Sequence, residues 1–286
     1  MEEPVVNERE ARHAWELMEE GALIPARWFK RQAFASIFFD AGSVSIPEAE
    51  RLVISTAEEA AQYVIDPVLR EKLHKLIAEE TAHSRVHDAY NAYLARKGYP
   101  VAKYEKEFAG WARWLNTRFS LMTRLAICAT VEHFTACISR QILDTGIFEG
   151  EDVDERMDRV WTWHALEELD HRAIAFDLYT EMGGTYARRF WSALIGSFLF
   201  MYIHNRCFLA FLRKKKLLRR WSAWKIGLPF LFGKNGIYRH FIPDWWKFFH
   251  PRFHPSLIPI RNVLKKQLRH YHIESELIGY FSQAAR

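Results

Sequence analysis

Two tetrapeptides of one kind set the strongest constraint on what this chain can become. Glu80-Thr81-Ala82-His83 and Glu168-Leu169-Asp170-His171 each carry a carboxylate and an imidazole three positions apart. On an α-helix such positions lie on one face. Glu50 stands 30 residues before the first pair, and Glu132 stands 36 residues before the second. The order Glu, ExxH, Glu, ExxH therefore falls on four successive helices.

The surrounding pattern is helical. Ser45-Ile46-Pro47-Glu48 reads as a helix start, with a Ser cap, Pro in the first turn and Glu at the capping-box position; the helix is expected over roughly 46–63. Asp66-Pro67 opens the next helix, and Gly98 can end it. A third helix carries Leu121, Leu125, Cys128, Glu132, Thr135 and Ser139 and ends near Gly146. Asp152 with Glu155 reads as a second capping box, opening a fourth helix that stops at Gly183-Gly184. No stretch before residue 185 alternates like a strand between hairpin turns. The expected fold is all-α: a single helical domain over 1–286, with a four-helix dimetal core at 46–184 and an aromatic, basic helical extension at 185–286.

Four helices presenting this ligand order match the arrangement of ferritin-like dimetal carboxylate bundles. The chemistry accounts for the set. Two divalent ions held close together repel, four carboxylates offset their charge, and two imidazoles complete the shell. Oxygen and imidazole donors without thiolate suit iron above all, and also manganese or zinc. Glu132 lies within LAICATVEHFTACI, where an isolated carboxylate is costly to bury unless paired or metal-bound. A buried salt-bridge network is the competing explanation. The expected metal ligands are Glu50, Glu80, His83, Glu132, Glu168 and His171, with His164 and His87 as added ligands or proton-handling groups. Glu167 is expected to bind or orient, and His87, His164 and Glu167 are the candidates for catalytic proton transfer. Asn91, Asp170 and Asp177 are candidates for holding the imidazoles, with a surface ion pair as the alternative for the two aspartates. His133 is expected to be an ordinary buried histidine and Cys128 a packing residue.

The segments IPEAERLV, AEETAHSRVHDAYN, VEHFTA, WHALEELDHRAIAFDLY and HPRFHP together resemble the bacterial family known as predicted metal-dependent hydrolases. The likeness covers roughly residues 24–280. It implies a metal-binding helical protein and carries over to Glu50, Glu80, His83, His87, Glu132, His164, Glu168 and His171. One departure is Ala49, where Gly is expected before the first Glu; Ala suits a helix.

A ferritin-like bundle needs a long crossover between its second and third helices. A third helix beginning near Asn116 leaves about 18 residues for it, enough to span the bundle at ~3.3 Å each. If Trp111–Leu115 is helical the connection tightens, and a heme-oxygenase-like bundle is the alternative.

Charge divides the chain. Residues 1–182 hold 21 Lys+Arg against 32 Asp+Glu, whereas 183–286 hold 19 against 3. Within the basic part, residues 190–203 are nearly all apolar. That run is short of the ~20 residues that span a bilayer, so a buried helix is expected, with a membrane-lying helix as the alternative. His250-Pro251-Arg252-Phe253-His254-Pro255 reads as a Pro-fixed turn with His254 hydrogen-bonded to backbone, the alternative being that His254 reaches the site or caps its pocket. Three cysteines form no CxxC pair, which excludes a disulfide scaffold and a cysteine zinc site. The acidic N-terminus reads as neither signal nor transit peptide, and the expected location is cytoplasmic, at most peripheral on the inner membrane face.

Three functions follow as expectations. The first is an O2-activating di-iron oxidase or oxygenase acting on a small, lipophilic organic substrate. The second is a hydrolase using a metal-activated water; no GxSxG nucleophile motif is present. The third is a non-enzymatic iron-handling protein docked on an anionic membrane or an acidic redox partner. A homodimer is left open. Nucleic acid is not expected as a partner, because no nucleic-acid-binding signature accompanies the basic residues.

Overall fold

The computed structural model describes residues 24–259. Within them eight α-helices follow one another: α1 (Ala33–Ala61), α2 (Pro67–Arg96), α3 (Val101–Arg118), α4 (Leu121–Thr145), α5 (Glu155–Glu181), α6 (Tyr186–Lys214), α7 (Trp221–Phe232) and α8 (Ile237–Lys247). A 3-10 turn at Pro255–Leu257 completes the order, and no strand occurs among the described residues. The protein is all-α. The acidic stretch at the N-terminus and the end of the basic extension lie outside the described residues.

Local punctuation holds where nothing overrides it. The Asp66 carboxylate accepts from the Val68 N–H at 3.0 Å, and Pro67 fills the first helical position of α2. Gly146 ends α4 in the left-handed region at φ 55°, a conformation that costs glycine little.

Two helix starts differ from expectation. α5 is capped by Asp154, whose Oδ1 accepts from Arg156 N at 3.1 Å, and not by Asp152, which pairs with Arg31 at the surface. Only Asp154 stands immediately before the first helical residue, so only it reaches the free N–H groups of the first turn. Asp154→Ala is expected to lower stability by ~1 kcal/mol, read as a shifted midpoint in denaturant unfolding.

α1 begins 13 residues before the expected start at Ile46, at Ala33, and Pro47 lies inside it. The upstream run holds Phe34, Ile37, Phe38 and Phe39, all buried, and this tertiary packing extends the helix through the serine–proline signal. Proline cannot donate to the carbonyl four residues back. That carbonyl belongs to Ser43, and the Asn91 amide of α2 donates to it at 3.2 Å. The apparent helix start is thus an internal break whose freed acceptor is taken by a neighbouring helix.

α1, α2, α4 and α5 form a four-helix bundle in which α1 packs on α2 and α4, and α5 packs on α4 and α2. Arg124 at the start of α4 pairs with Glu59 at the end of α1. At the opposite end, the Asp154 N–H before α5 donates to the Trp28 carbonyl before α1. Each helix therefore runs antiparallel to both packed neighbours. The crossover from α2 to α4 is itself helical: Trp111–Leu115 lies in α3, whose 18 residues cover about 27 Å at ~1.5 Å per residue. α3 packs along α1 and α2, then breaks at Phe119-Ser120 before α4. A helical crossover thus spans the bundle without altering the four-helix arrangement.

The C-terminal helices lie against this bundle, α6 over α1 and α4, α7 on α1 and α8 on α4. Their core is shared with it: Phe34 meets Phe208 and Trp224, and Phe134 meets Phe200 and Phe241. The expectation that 190–203 is a buried helix holds for one face only. Ser192, Ala193, Ser197 and Ile203 are buried, whereas Trp191, Leu194, Ile195, Phe198 and Tyr202 are exposed.

Candidate metal centre

Four helices bring ten acidic and imidazole side chains to the middle of the bundle: Glu50 from α1, Glu79, Glu80, His83 and His87 from α2, Glu132 from α4, and His164, Glu167, Glu168 and His171 from α5. All except Glu167 are buried, and Glu80, His83, His87 and His171 have no exposed surface. On α2 and α5 the inward positions 80, 83 and 87, and 164, 168 and 171, repeat at three- or four-residue intervals, so one stripe of each helix carries them.

Two overlapping groups have ligand atoms within 4.8 Å of one another. One is Glu50, His83, His164 and Glu168, and the other is Glu80, His83, Glu168 and His171. Glu132 lies beside the second, its Oε2 at 3.9 Å from His171 Nδ1. Six atoms of this set are buried without a hydrogen-bond partner: Glu50 Oε1, both oxygens of Glu80, His83 Nδ1, Glu132 Oε2 and His171 Nδ1. Buried polar atoms are rarely left unpaired. That six converge on one place fits cations as their missing partners, and the oxygen–imidazole donor set fits two hard or borderline divalent ions.

The outward atoms of Glu50, His83 and His171 are occupied. His83 Nε2 donates to Glu167 at 2.8 Å, and His171 Nε2 donates to Glu79 at 2.9 Å. The pairing is crossed: each histidine is held by the acidic residue that precedes the other helix's ExxH motif. A proton fixed on Nε2 leaves the Nδ1 lone pair for the centre. Ser84 donates to Glu50 Oε2 at 2.8 Å, and the Thr135 hydroxyl donates to Glu168 Oε2. Trp163 Nε1 donates to Glu167 Oε1 at 3.0 Å, and Lys75 Nζ lies 3.5 Å from Glu79 Oε1.

His87 stands one step behind His164. Ser43 Oγ donates its single proton to Asn91 Oδ1 at 2.9 Å, so it accepts from His87 Nδ1, also at 2.9 Å. His87 Nε2 then accepts from His164 Nδ1 at 3.1 Å. This leaves His164 Nε2 with a bare lone pair 3.0 Å from Glu168 Oε1, an approach that requires a cation or a proton between them. The chain Asn91–Ser43–His87–His164 therefore sets the tautomer of His164. His87→Ala is expected to weaken metal binding by ~10–100-fold, the usual effect of losing such a partner; titration of the metal-free protein with Mn2+ measures it.

Electrostatics follow from burial and from this crowding. Burial, then the Glu80 charge, push Glu50 well above the usual carboxylate range; burial, then Glu80 and Glu168, do the same to Glu132. Burial also opposes the charge on Glu80, yet His171 and His83 outweigh it and hold that carboxyl low. His83 and His171 are raised because their acidic partners outweigh burial. His87 and His164 are lowered by burial and by neighbouring imidazoles, so both stay neutral. Protons and metal ions thus compete for Glu50, Glu132, His83 and His171. Metal affinity is expected to rise with pH, by about tenfold per pH unit for each proton displaced, and calorimetric titrations in buffers of different pH would read the slope.

Glu79 was missing from the sequence expectations. Its signal is present, since each ExxH motif has a second acid immediately before its Glu: Glu79-Glu80 and Glu167-Glu168. Other candidates lie elsewhere. Asp170 forms an exposed ion pair with Lys75, and Asp177 accepts from His254 Nε2 at 2.8 Å. His254 also caps the 3-10 turn through Ser256 N, so it fixes the C-terminal loop against α5 and takes no part in the centre. His133 donates to the Asp244 carbonyl at 3.2 Å, and Cys128 packs against α1.

Residues 12–258 match the family described as predicted metal-dependent hydrolase. No curated protein and no solved structure matches the chain. The match takes in every helix from α1 to α8 and all ten residues of the centre, and the buried donors supply what a metal-dependent protein requires. By this match the chain belongs to the predicted metal-dependent hydrolase family.

Proposed function

We propose that this protein is a two-metal enzyme whose reaction is metal-assisted hydrolysis of a small organic substrate. The observation that carries the reading is the convergence of buried carboxylate oxygens and imidazole nitrogens on one place inside a bundle, together with the family to which the chain belongs. Glu50, His83, His164 and Glu168 would hold one ion, and Glu80, Glu132, Glu168 and His171 the other. Glu168 has two oxygens and can serve both; His83, with Nε2 taken by Glu167, has only Nδ1 to offer. Bound divalent ions supply Lewis acidity, lowering the pKa of water and polarising a substrate oxygen.

The protein's own part is positional and protonic. Glu167 and Glu79 hold the two imidazoles in the ligating tautomer, and His87 does so for His164. Ser84 holds Glu50 through Oε2, which turns Oε1 toward the ion it would bind. Glu167 is the most exposed of the ten, with 12% of its side chain reaching solvent, and is the natural outlet for protons.

A second reading is oxidation of the substrate by O2 at two irons. The donor set favours it: four carboxylates and three imidazoles without thiolate suit Fe(II). One comparison separates the two. The Zn2+-loaded protein, kept anaerobic, is expected to cleave a panel of esters, amides and phosphoesters, and Glu50→Gln, which removes a ligand charge, to lose that activity by ~100-fold or more. An inert zinc protein beside an Fe(II) protein that consumes O2 would replace hydrolysis with oxidation.

A further inference from the structure

The N-terminal half of α6 leaves its largest apolar side chains facing out. A helix on a protein surface buries its apolar stripe and exposes its polar one. Here the C-terminal half buries Ile203, Cys207, Phe208, Phe211 and Leu212 as expected, but in the N-terminal half Arg189, Ser192, Ala193 and Ser197 are buried while Trp191, Leu194, Ile195, Phe198 and Tyr202 point outward at helical spacing. Ile195 is 62% and Phe198 72% exposed. The patch continues onto α8. The Phe190 ring lies 5.5 Å from Trp191 and 5.3 Å from Phe249, and Phe249 lies 5.4 Å from Trp246, itself 65% exposed. The exposed stripe of α6 and exposed Trp246, joined beneath by half-buried Phe190 and buried Phe249, form apolar surface of the kind that marks an interaction site.

Charge identifies what covers it. Residues 185–259 contain 14 Lys+Arg and one acidic residue, Asp244. Arg213, Lys214, Lys215, Lys216, Arg219 and Arg220 form an exposed cluster from the end of α6 into the loop before α7. Apolar side chains with tryptophans at their edge, beside a dense cationic cluster, are complementary to a lipid surface bearing anionic headgroups. A second copy would bring the same cationic set against itself, and a hydrophilic acidic protein would leave the apolar stripe wet.

We propose that this face of α6 and α8 docks the protein on an anionic membrane, with α6 lying in the interface. α6 is long and apolar enough to cross a bilayer by length and composition. Its inner face, however, is fastened to the rest of the protein: Trp245 Nε1 donates to Ser197 at 2.9 Å, and Arg189 donates to the His250 carbonyl at 2.8 Å. The helix therefore rests on the surface and does not span it. The proposal stands on α6 and α8 alone and is independent of the reaction at the metal centre.

Flotation of the full-length, metal-loaded protein with vesicles tests it. Vesicles of phosphatidylglycerol and phosphatidylcholine in equal parts are expected to bind at least ~10-fold more protein than phosphatidylcholine alone, with a blue shift of tryptophan emission. Ile195→Asp with Phe198→Asp is expected to cut binding by ~10-fold or more, with metal content and far-UV circular dichroism unchanged. Arg219→Glu with Arg220→Glu is expected to remove most of the preference for the anionic vesicles. Failure to float with anionic vesicles at low ionic strength overturns the proposal, as does undiminished binding by the apolar double variant. A protein dimer that the same double variant dissociates, without vesicle binding, assigns the face to a second copy instead.

Discussion

Glu80→Gln is expected to strip most of the metal from the centre while the bundle stays folded. Glu80 has no exposed surface, and its two oxygens face the imidazoles, 3.6 Å from His83 Nδ1 and 2.7 Å from His171 Nδ1. It is the carboxylate on which the two imidazoles converge, and its charge shapes the proton affinity of Glu50, Glu132, His83 and His171. Glutamine keeps the shape and removes the charge. Removing a partner behind a ligand costs ~10–100-fold in metal affinity, and a ligand costs more. The expected readout by elemental analysis is a fall from two ions per chain to one or none, with activity lost in parallel. If these residues formed only a salt-bridge network, the same substitution would lower stability and leave metal content unchanged.

Chelation is expected to lower the melting temperature by about 10 °C. Ions that bind only the folded chain stabilise it by ~4 kcal/mol at a thousandfold excess over Kd, and a chain of this size shifts by ~2–4 °C per kcal/mol. The donors come from α1, α2, α4 and α5, so the ions tie together the four helices of the bundle. Without them, carboxylates and imidazoles share a buried space with protons as the only counter-charge. Calorimetric scans of chelated and Zn2+-reloaded protein measure the difference, and equal melting temperatures would argue against structural coupling between the ions and the bundle.

Much of the centre was legible because its code is local. Glu80 with His83, and Glu168 with His171, meet through the geometry of a single helical turn, which covalent structure fixes wherever the residues are helical. His164, one turn before Glu168, joined the centre by the same rule. The same rule also had limits. It placed His87 on the correct face but did not show that His164 stands between it and the centre. It did not find Glu79, which contacts a histidine 92 residues away. Pro47 misled for a related reason: its local meaning is a helix start, and the packing of Phe34, Ile37, Phe38 and Phe39 was strong enough to carry the helix through it.

The amino-acid order by itself determined the helical class, the inward stripe of acids and imidazoles, and the charge division of the chain. These depend on spacing and composition, which folding cannot alter. Tertiary structure alone decided that Glu79 serves His171 and Glu167 serves His83, that the crossover is a helix, and that the apolar stripe of α6 faces outward. Such choices arise from side chains distant in sequence competing for the same space and the same hydrogen bonds, and that competition is settled only when the helices pack.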